Sequence, residues 1–177
     1  MTRPIFLVGM PGAGKTTIGQ RISVVLQRTF FDLDEFLEMK TGLSVREIFA
    51  SQGEQYFRQA EAEALRELTE QTGINVIATG GGAPCFHDNM EFMNEAGTTI
   101  YLKVPIEVLV ERLSGHGHEH RPLVAGKSSD EIKQFVSETL AARKQFYETA
   151  QITYSNITRS HDINELCQLI SRLETMC

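Results

Sequence analysis

Eight consecutive residues constrain this chain more than any others: Gly9-Met10-Pro11-Gly12-Ala13-Gly14-Lys15-Thr16. They fill every fixed position of G-x-x-x-x-G-K-[ST]. Before them stands Pro4-Ile5-Phe6-Leu7-Val8, a short continuous apolar run of the kind that forms a strand covered on both faces in a parallel sheet. After them Ile18, Ile22, Val25 and Leu26 recur at helical spacing, so that one face of a helix can pack on that sheet. Strand, glycine loop and helix is the setting in which this spacing cradles phosphate. The glycines let successive N–H groups turn inward around phosphate oxygens, and the helix N-terminus adds partial positive charge. A tight turn with no ligand is the bland alternative, and a full match in context outweighs it.

The chemistry of each position follows. Gly12, Ala13, Gly14, Lys15, Thr16 and Thr17 are the expected nucleotide contacts, with Lys15 meeting the β- and γ-phosphates. The Thr16 hydroxyl suits Mg²⁺, a hard cation that prefers oxygen ligands, and Asp32 is its expected acidic partner.

Downstream the pattern keeps alternating. Phe30-Phe31-Asp32-Leu33-Asp34 reads as a second strand with its two carboxylates on one side. Ser44 to Glu47 has capping-box spacing for a helix start, and Gly53 separates that short helix from a longer one near Glu54–Gln71. Asn75–Thr79 is the next strand, cut off by Gly80-Gly81-Gly82; His87–Ala96 reads as helix, Thr98–Val104 as strand and Ile106–Leu113 as helix behind Pro105. Ser114–Ser128, with its glycines, histidines and Pro122, has the composition of a mobile loop. A helix over Asp130–Thr149, a weaker strand near Ile152–Thr158 and a helix over Ile163–Glu174 follow. Alternation of this kind predicts an α/β class, a sandwich of helices layered around a parallel sheet. With 177 residues, one domain over 1–177 is expected, with the P-loop at 9–16.

Composition narrows the partners. Apolar residues make up 41% and charged residues 23%, an ordinary globular mix. The net charge of −6 opposes the basic footprint of a nucleic-acid or anionic-membrane binder, so neither partner is expected. Cys85, Cys167 and Cys177 are too scattered for a disulfide framework, which fits a reducing cytoplasm. There is no 18-residue apolar run, and the opening residues lack a signal-peptide pattern, so the N-terminus is expected to belong to the fold.

A phosphate loop alone leaves motors, switches, transporter ATPases and small-molecule kinases open. Asp34 points to the last of these, because a carboxylate where an acceptor meets the γ-phosphate can orient a hydroxyl and take its proton. Arg58 and Glu61 are three residues apart, so on one helix Glu61 can hold the guanidinium in place. Gly80, Gly81 and Gly82 allow the backbone to approach a ligand closely.

P-loop, Asp-Leu-Asp, Phe57-Arg58 with Glu61, Gly80-Gly81-Gly82, Arg121-Pro122-Leu123, and Arg143 with Tyr147 together closely resemble the shikimate kinase family, from about Pro4 to Ala150. The resemblance implies a three-layer α/β/α P-loop kinase fold on a five-stranded parallel sheet, with an acceptor-binding region at about 34–61 and a mobile lid at about 114–128. It implies transfer of the γ-phosphate of ATP to the 3-hydroxyl of shikimate, a step of aromatic amino-acid biosynthesis. It implies carboxylate-binding roles for Arg58 and Arg143, an apolar wall at Phe57, a lid Arg121 over the γ-phosphate, and an adenine contact at Arg112. Asp34, Lys15 and Arg121 are then the expected catalytic residues. Another small kinase, for gluconate or a nucleoside monophosphate, and a non-catalytic ATP-dependent switch are the alternatives. His116, His118 and His120 could offer imidazoles to a metal, but loop histidines without further ligands stay solvated. A monomer is expected.

Overall fold

The computed structural model describes residues 3–70, 75–115, 126–155 and 163–176. Its five strands are β1 (Ile5–Val8), β2 (Thr29–Asp32), β3 (Asn75–Ala78), β4 (Thr98–Leu102) and β5 (Ile152–Tyr154), all parallel and ordered β2-β3-β1-β4-β5. The central strands β1, β3 and β4 are buried at every position, as continuous apolar runs require when helices cover both faces.

The helices are α1 (Lys15–Leu26), α2 (Leu33–Thr41), α3 (Val45–Glu70), α4 (Asn89–Ala96), α5 (Ile106–Ser114), α6 (Ser129–Tyr147) and α7 (Asn164–Met176). Crossovers between parallel strands are right-handed. The step from β1 across to β2 therefore puts α1 on one face, where α7 joins it, and the returns toward β3, β4 and β5 put α3, α4 and α6 on the other. The result is the three-layer α/β/α architecture expected from the alternation. None of the described helices is long and apolar enough to cross a membrane.

Several boundaries differ from the sequence reading. β2 stops at Asp32, and Asp34 lies in the first turn of α2 rather than in a strand. Asp32 is the N-cap, accepting a hydrogen bond from the Asp34 N–H at 3.1 Å, and its cap geometry breaks the apparent strand alternation. In α1 Ile18, Gly19, Ile22 and Ser23 are buried and Leu26 packs against the core, whereas Val25 is 49% exposed, so of the expected apolar face only Val25 turns to solvent. α4 starts at Asn89 because His87 and Asp88 take positive φ, after a short 3-10 turn at Ala83–Cys85. β4 ends two residues earlier than expected, and β5 is a three-residue edge strand. The expected caps hold: Ser44 and Glu47 bond reciprocally at the start of α3, and Ser128 and Glu131 form a capping box for α6. Gly53, at φ 82°, kinks α3 where the sequence placed a break between two helices.

One glycine carries the β1–β4 junction. A Cβ on Gly97 would stand 2.2 Å from the Pro4 carbonyl oxygen, the same oxygen that accepts from the Thr98 N–H at 2.8 Å. Backbone cannot swing aside as a flexible side chain can. Gly97→Ala should therefore cost at least about 2 kcal/mol, lowering the thermal midpoint by roughly 4–8 °C. An unchanged melting curve would contradict this.

Candidate active site

β1 sends its crossover to one side and β3 sends its own to the other, so the crevice beyond their C-terminal ends is a topological switch point. Three segments open onto it side by side: the glycine loop after β1, Asp32 with α2 after β2, and Gly80–Gly82 after β3.

The glycine loop has the geometry its spacing predicts. Gly12 and Gly14 hold φ of 81° and 92°, a left-handed conformation that side chains disfavour. Between them the Ala13 N–H donates to the Met10 carbonyl at 3.1 Å, and the Gly14 carbonyl accepts from Ile18 at 2.9 Å to begin α1. Lys15 lies at the helix start, its Nζ donating to the carbonyls of Gly9 at 2.9 Å and Met10 at 3.1 Å. Burial pushes the Lys15 ammonium down to about 8; Asp34 and Asp32 work against that shift and Arg143 adds to it. Arg112, on α5, donates to the Gly12 carbonyl at 3.1 Å and the Ala13 carbonyl at 3.3 Å, which brings it to the loop. Thr17 is exposed on the first turn of α1.

The Thr16 hydroxyl donates to Asp32 Oδ2 at 2.8 Å, so two hard oxygen donors stand together at the loop's edge. Among the described residues no cluster of three or more His, Cys, Asp or Glu could hold a metal alone. A Mg²⁺ ion bound there would draw its remaining ligands from phosphate and water, as that ion commonly does.

The three glycines are a floor on which four charged side chains converge. A Cβ on Gly80 would lie 2.7 Å from Glu61 Oε1 and 3.0 Å from Asp34 Oδ1; one on Gly81 would lie 3.3 Å from Arg143 Nη1; one on Gly82 would lie 2.7–2.9 Å from the Arg58 guanidinium. Pro11 covers Gly81 from the phosphate-loop side, at 2.8 Å from the same hypothetical carbon. Nothing larger than glycine fits unless those groups move.

Arg58 is held from several directions. It is 9% exposed, donates through Nη1 to Glu61 Oε2 at 2.9 Å, and reaches Glu54 Oε1 at 3.3 Å through Nε and Nη2. Its Cζ lies over the rings of Phe86, Phe57 and Phe49, at 4.4, 5.0 and 5.9 Å from their centres. Phe57 is buried, its ring tilted against Phe49 with centroids 4.4 Å apart. An exposed ion pair at this helical spacing contributes little, but both partners here are buried, which sets this pair apart from a surface one. Burial also pushes the Asp34 carboxyl above its ordinary range; neighbouring Asp32 adds to that effect, while Lys15 and Arg58 oppose it.

Tyr147, four residues after Arg143 on α6, is fully buried and donates through its hydroxyl to the Gly81 carbonyl at 2.5 Å while stacking on Tyr101. The motif reading singled it out without a role; the structure makes it the strut that fixes the glycine floor relative to α6. Glu54, Phe49, Phe86 and Pro11 were also missed. Only Glu54, at i,i+4 from Arg58, had a local signal. Of the expected site residues, Arg121 lies outside the described residues, as do His116, His118, His120 and the middle of the expected lid.

Residues 11–174 match the family model for shikimate kinase. A shikimate kinase from Parabacteroides distasonis is 42% identical over 171 residues, covering 96% of this chain and 98% of its own length. A crystal structure of shikimate kinase from Bacteroides thetaiotaomicron superposes with a TM-score of 0.87 at 40% identity, covering 98% of each chain. A shikimate kinase from Acinetobacter baumannii, solved in complex with shikimate, gives a TM-score of 0.83 at 35% identity, covering 99% of this chain and 94% of that one. Likeness in sequence and in fold thus extends over nearly the whole length, well beyond the glycine loop that many unrelated enzymes share, and the chain belongs to the shikimate kinase family.

Proposed function

We propose that this chain transfers the γ-phosphate of ATP to the 3-hydroxyl of shikimate, giving shikimate 3-phosphate and ADP in aromatic amino-acid biosynthesis. The observation that carries this reading is the convergence of Asp34, Glu61, Arg58 and Arg143 on Gly80–Gly82 beside the Lys15 loop. A small anionic polyol suits that arrangement: two guanidinium groups for its carboxylate, a carboxylate for its hydroxyl, and backbone close enough to touch.

In this mechanism the loop N–H groups of Gly12, Ala13 and Gly14 and the Lys15 ammonium hold the phosphates, with Thr17 and Arg112 as further nucleotide contacts. Thr16 and Asp32 would hold Mg²⁺, which supplies charge compensation for the phosphates when bound. Asp34 aligns the acceptor hydroxyl and receives its proton as the new P–O bond forms and the bond to the ADP oxygen breaks. Arg58 and Arg143 clamp the carboxylate, Glu61 holds Arg58, and Phe57 backs the guanidinium. Arg121, carried on a lid over 114–128, would complete the charge around the transferring phosphoryl group. The single domain over 1–177 would act as a monomer in a reducing cytoplasm; Cys85 and Cys167 are free thiols, and the net charge of −6 disfavours a nucleic-acid partner.

A coupled ADP-release assay with ATP, Mg²⁺ and a panel of shikimate, gluconate and nucleoside monophosphates tests the reading directly. Turnover should be confined to shikimate, and faster turnover of any other acceptor would overturn it. Arg143→Ala should raise the shikimate KM by roughly 10–100-fold, the equivalent of about 1.5–3 kcal/mol for a lost charged hydrogen bond, with little change in the KM for ATP. Arg143 is the cleaner test of the clamp, because removing Arg58 would also strand Glu61.

A further inference from the structure

Among the described residues, Glu61 has one carboxylate oxygen with a partner and one without. Oε2 accepts from Arg58, while Oε1 is buried with no hydrogen-bond donor among them, in a residue only 1% exposed. An ionised oxygen in that position is unfavourable, and taking a proton relieves it. The charged and titratable groups around it come from every side: Arg58 and Glu54 on α3, Asp34 on α2, Arg143 on α6, and the Cys85 thiol beyond the glycines. Before an acceptor arrives, two guanidinium groups thus serve three carboxyl groups.

The proposed acceptor adds a fourth. Its carboxylate would draw on the same Arg58 and Arg143 donors that now stabilise Glu61, and its negative charge would raise the cost of ionising Glu61 further. We infer that the acceptor's carboxylate enters this pocket together with one proton, which Glu61 takes from solvent at Oε1. The step forms one O–H bond at the expense of a buffer acid, so the pocket's net charge is unchanged on binding. It also turns Oε1 into a donor beside Asp34 Oδ1, since both oxygens lie against the side-chain-free face of Gly80. Glu61 is then a positioning residue: it tunes how tightly Arg58 holds the acceptor without touching the transferred phosphate.

The linkage falls in an accessible range, because burial lifts the Glu61 carboxyl to about 7 even with Arg58 beside it. The carboxyl is raised, so its neutral form dominates below that value and its charged form above. Proton uptake on binding is therefore small near pH 6, about half a proton near pH 7 and close to one near pH 8, and acceptor affinity weakens by up to about tenfold across that interval. The acceptor's own carboxylate is ionised throughout and contributes nothing.

This inference rests on the proposed assignment of shikimate to the Arg58–Arg143 clamp, and calorimetry separates the two. Shikimate is titrated into the protein at about pH 6, 7 and 8, in buffers of differing ionisation enthalpy. The slope of observed heat against buffer enthalpy counts the protons. The expected result is a slope that grows with pH in the wild type and vanishes in Glu61→Gln, whose affinity should be flat with pH. Measurable binding with zero slope in the wild type overturns the inference and leaves the proposed function standing. An undiminished slope in Glu61→Gln overturns the assignment to Glu61. Absence of shikimate binding at every pH overturns the clamp assignment itself. The wild-type series alone decides the matter should Glu61→Gln fail to fold.

Discussion

Replacing Asp34 by asparagine is expected to lower turnover by about 10²–10⁴, the range that a positioned acid or base contributes, while nucleotide affinity stays within about threefold of wild type. The substitution is unusually clean here. Asp34 lies in the first turn of α2, but the cap of that helix is Asp32, so the amide exchange leaves the helix start intact. The neighbouring hydrogen bond from Thr16 to Asp32, at the proposed Mg²⁺ site, is untouched. What is lost is the acceptor-side negative charge that faces Lys15 and Arg58. The pH profile supplies a second reading. Burial raises the Asp34 carboxyl, so in the wild type turnover should climb with pH as that group ionises, and the climb should disappear in the variant. Steady-state rates with calorimetric ADP binding check both parts. Turnover within threefold of wild type would remove Asp34 from the chemistry.

The glycine loop was legible because its information is local. Each fixed residue answers to a backbone angle or a charge that the loop itself needs, and Gly12 and Gly14 at positive φ bear this out. The alternation of strands and helices was legible for the same reason, since burial on both faces writes itself as short apolar runs. The stretch around Asp32 was not, because Phe30 to Asp34 satisfies a strand pattern and a cap pattern at once. Tertiary pairing decided: Asp32 is the last residue in register with β3, opposite Ala78, and beyond it the chain has no strand partner. The acidic Asp34 and Glu35 in the turn after Asp32 are the local signal for a helix start that the strand reading passed over.

The acceptor side shows the complementary limit. Its residue types were recoverable from sequence, but what binds them together is non-local. Phe49, Phe57 and Phe86 come from two stretches of chain to surround Arg58, and Tyr147 reaches a carbonyl 66 residues away in sequence. No periodicity within one element encodes such contacts. The triple glycine was read as permission for close approach by a ligand, and the structure adds that the close neighbours are the protein's own Pro11, Asp34, Glu61, Arg58 and Arg143. Glycine is required there whether or not a ligand is bound, so the motif reports on how the site is built as much as on what it binds.

Lys15→Met should separate catalysis from stability most sharply. The side chains are alike in length and flexibility, so packing changes little, but the ammonium is replaced by a thioether that cannot donate to phosphate. The ordinary Lys range lies near 10.5, and the fold lowers Lys15 to about 8, chiefly through burial. A depressed lysine destabilises the folded state wherever it is charged, so at neutral pH its removal should leave the melting temperature unchanged or raise it. Turnover should fall by at least about 10²–10³, the loss typical of deleting one preorganised donor to a developing negative charge. The wild type should also gain stability as pH rises from about 8 toward 10.5, while Lys15→Met should lack that gain. Calorimetric melts over this interval, paired with single-turnover rates, make the comparison. A variant that melts well below wild type would mean that Lys15 holds the loop together through its bonds to Gly9 and Met10, and one that turns over normally would mean that the phosphates are held by backbone alone.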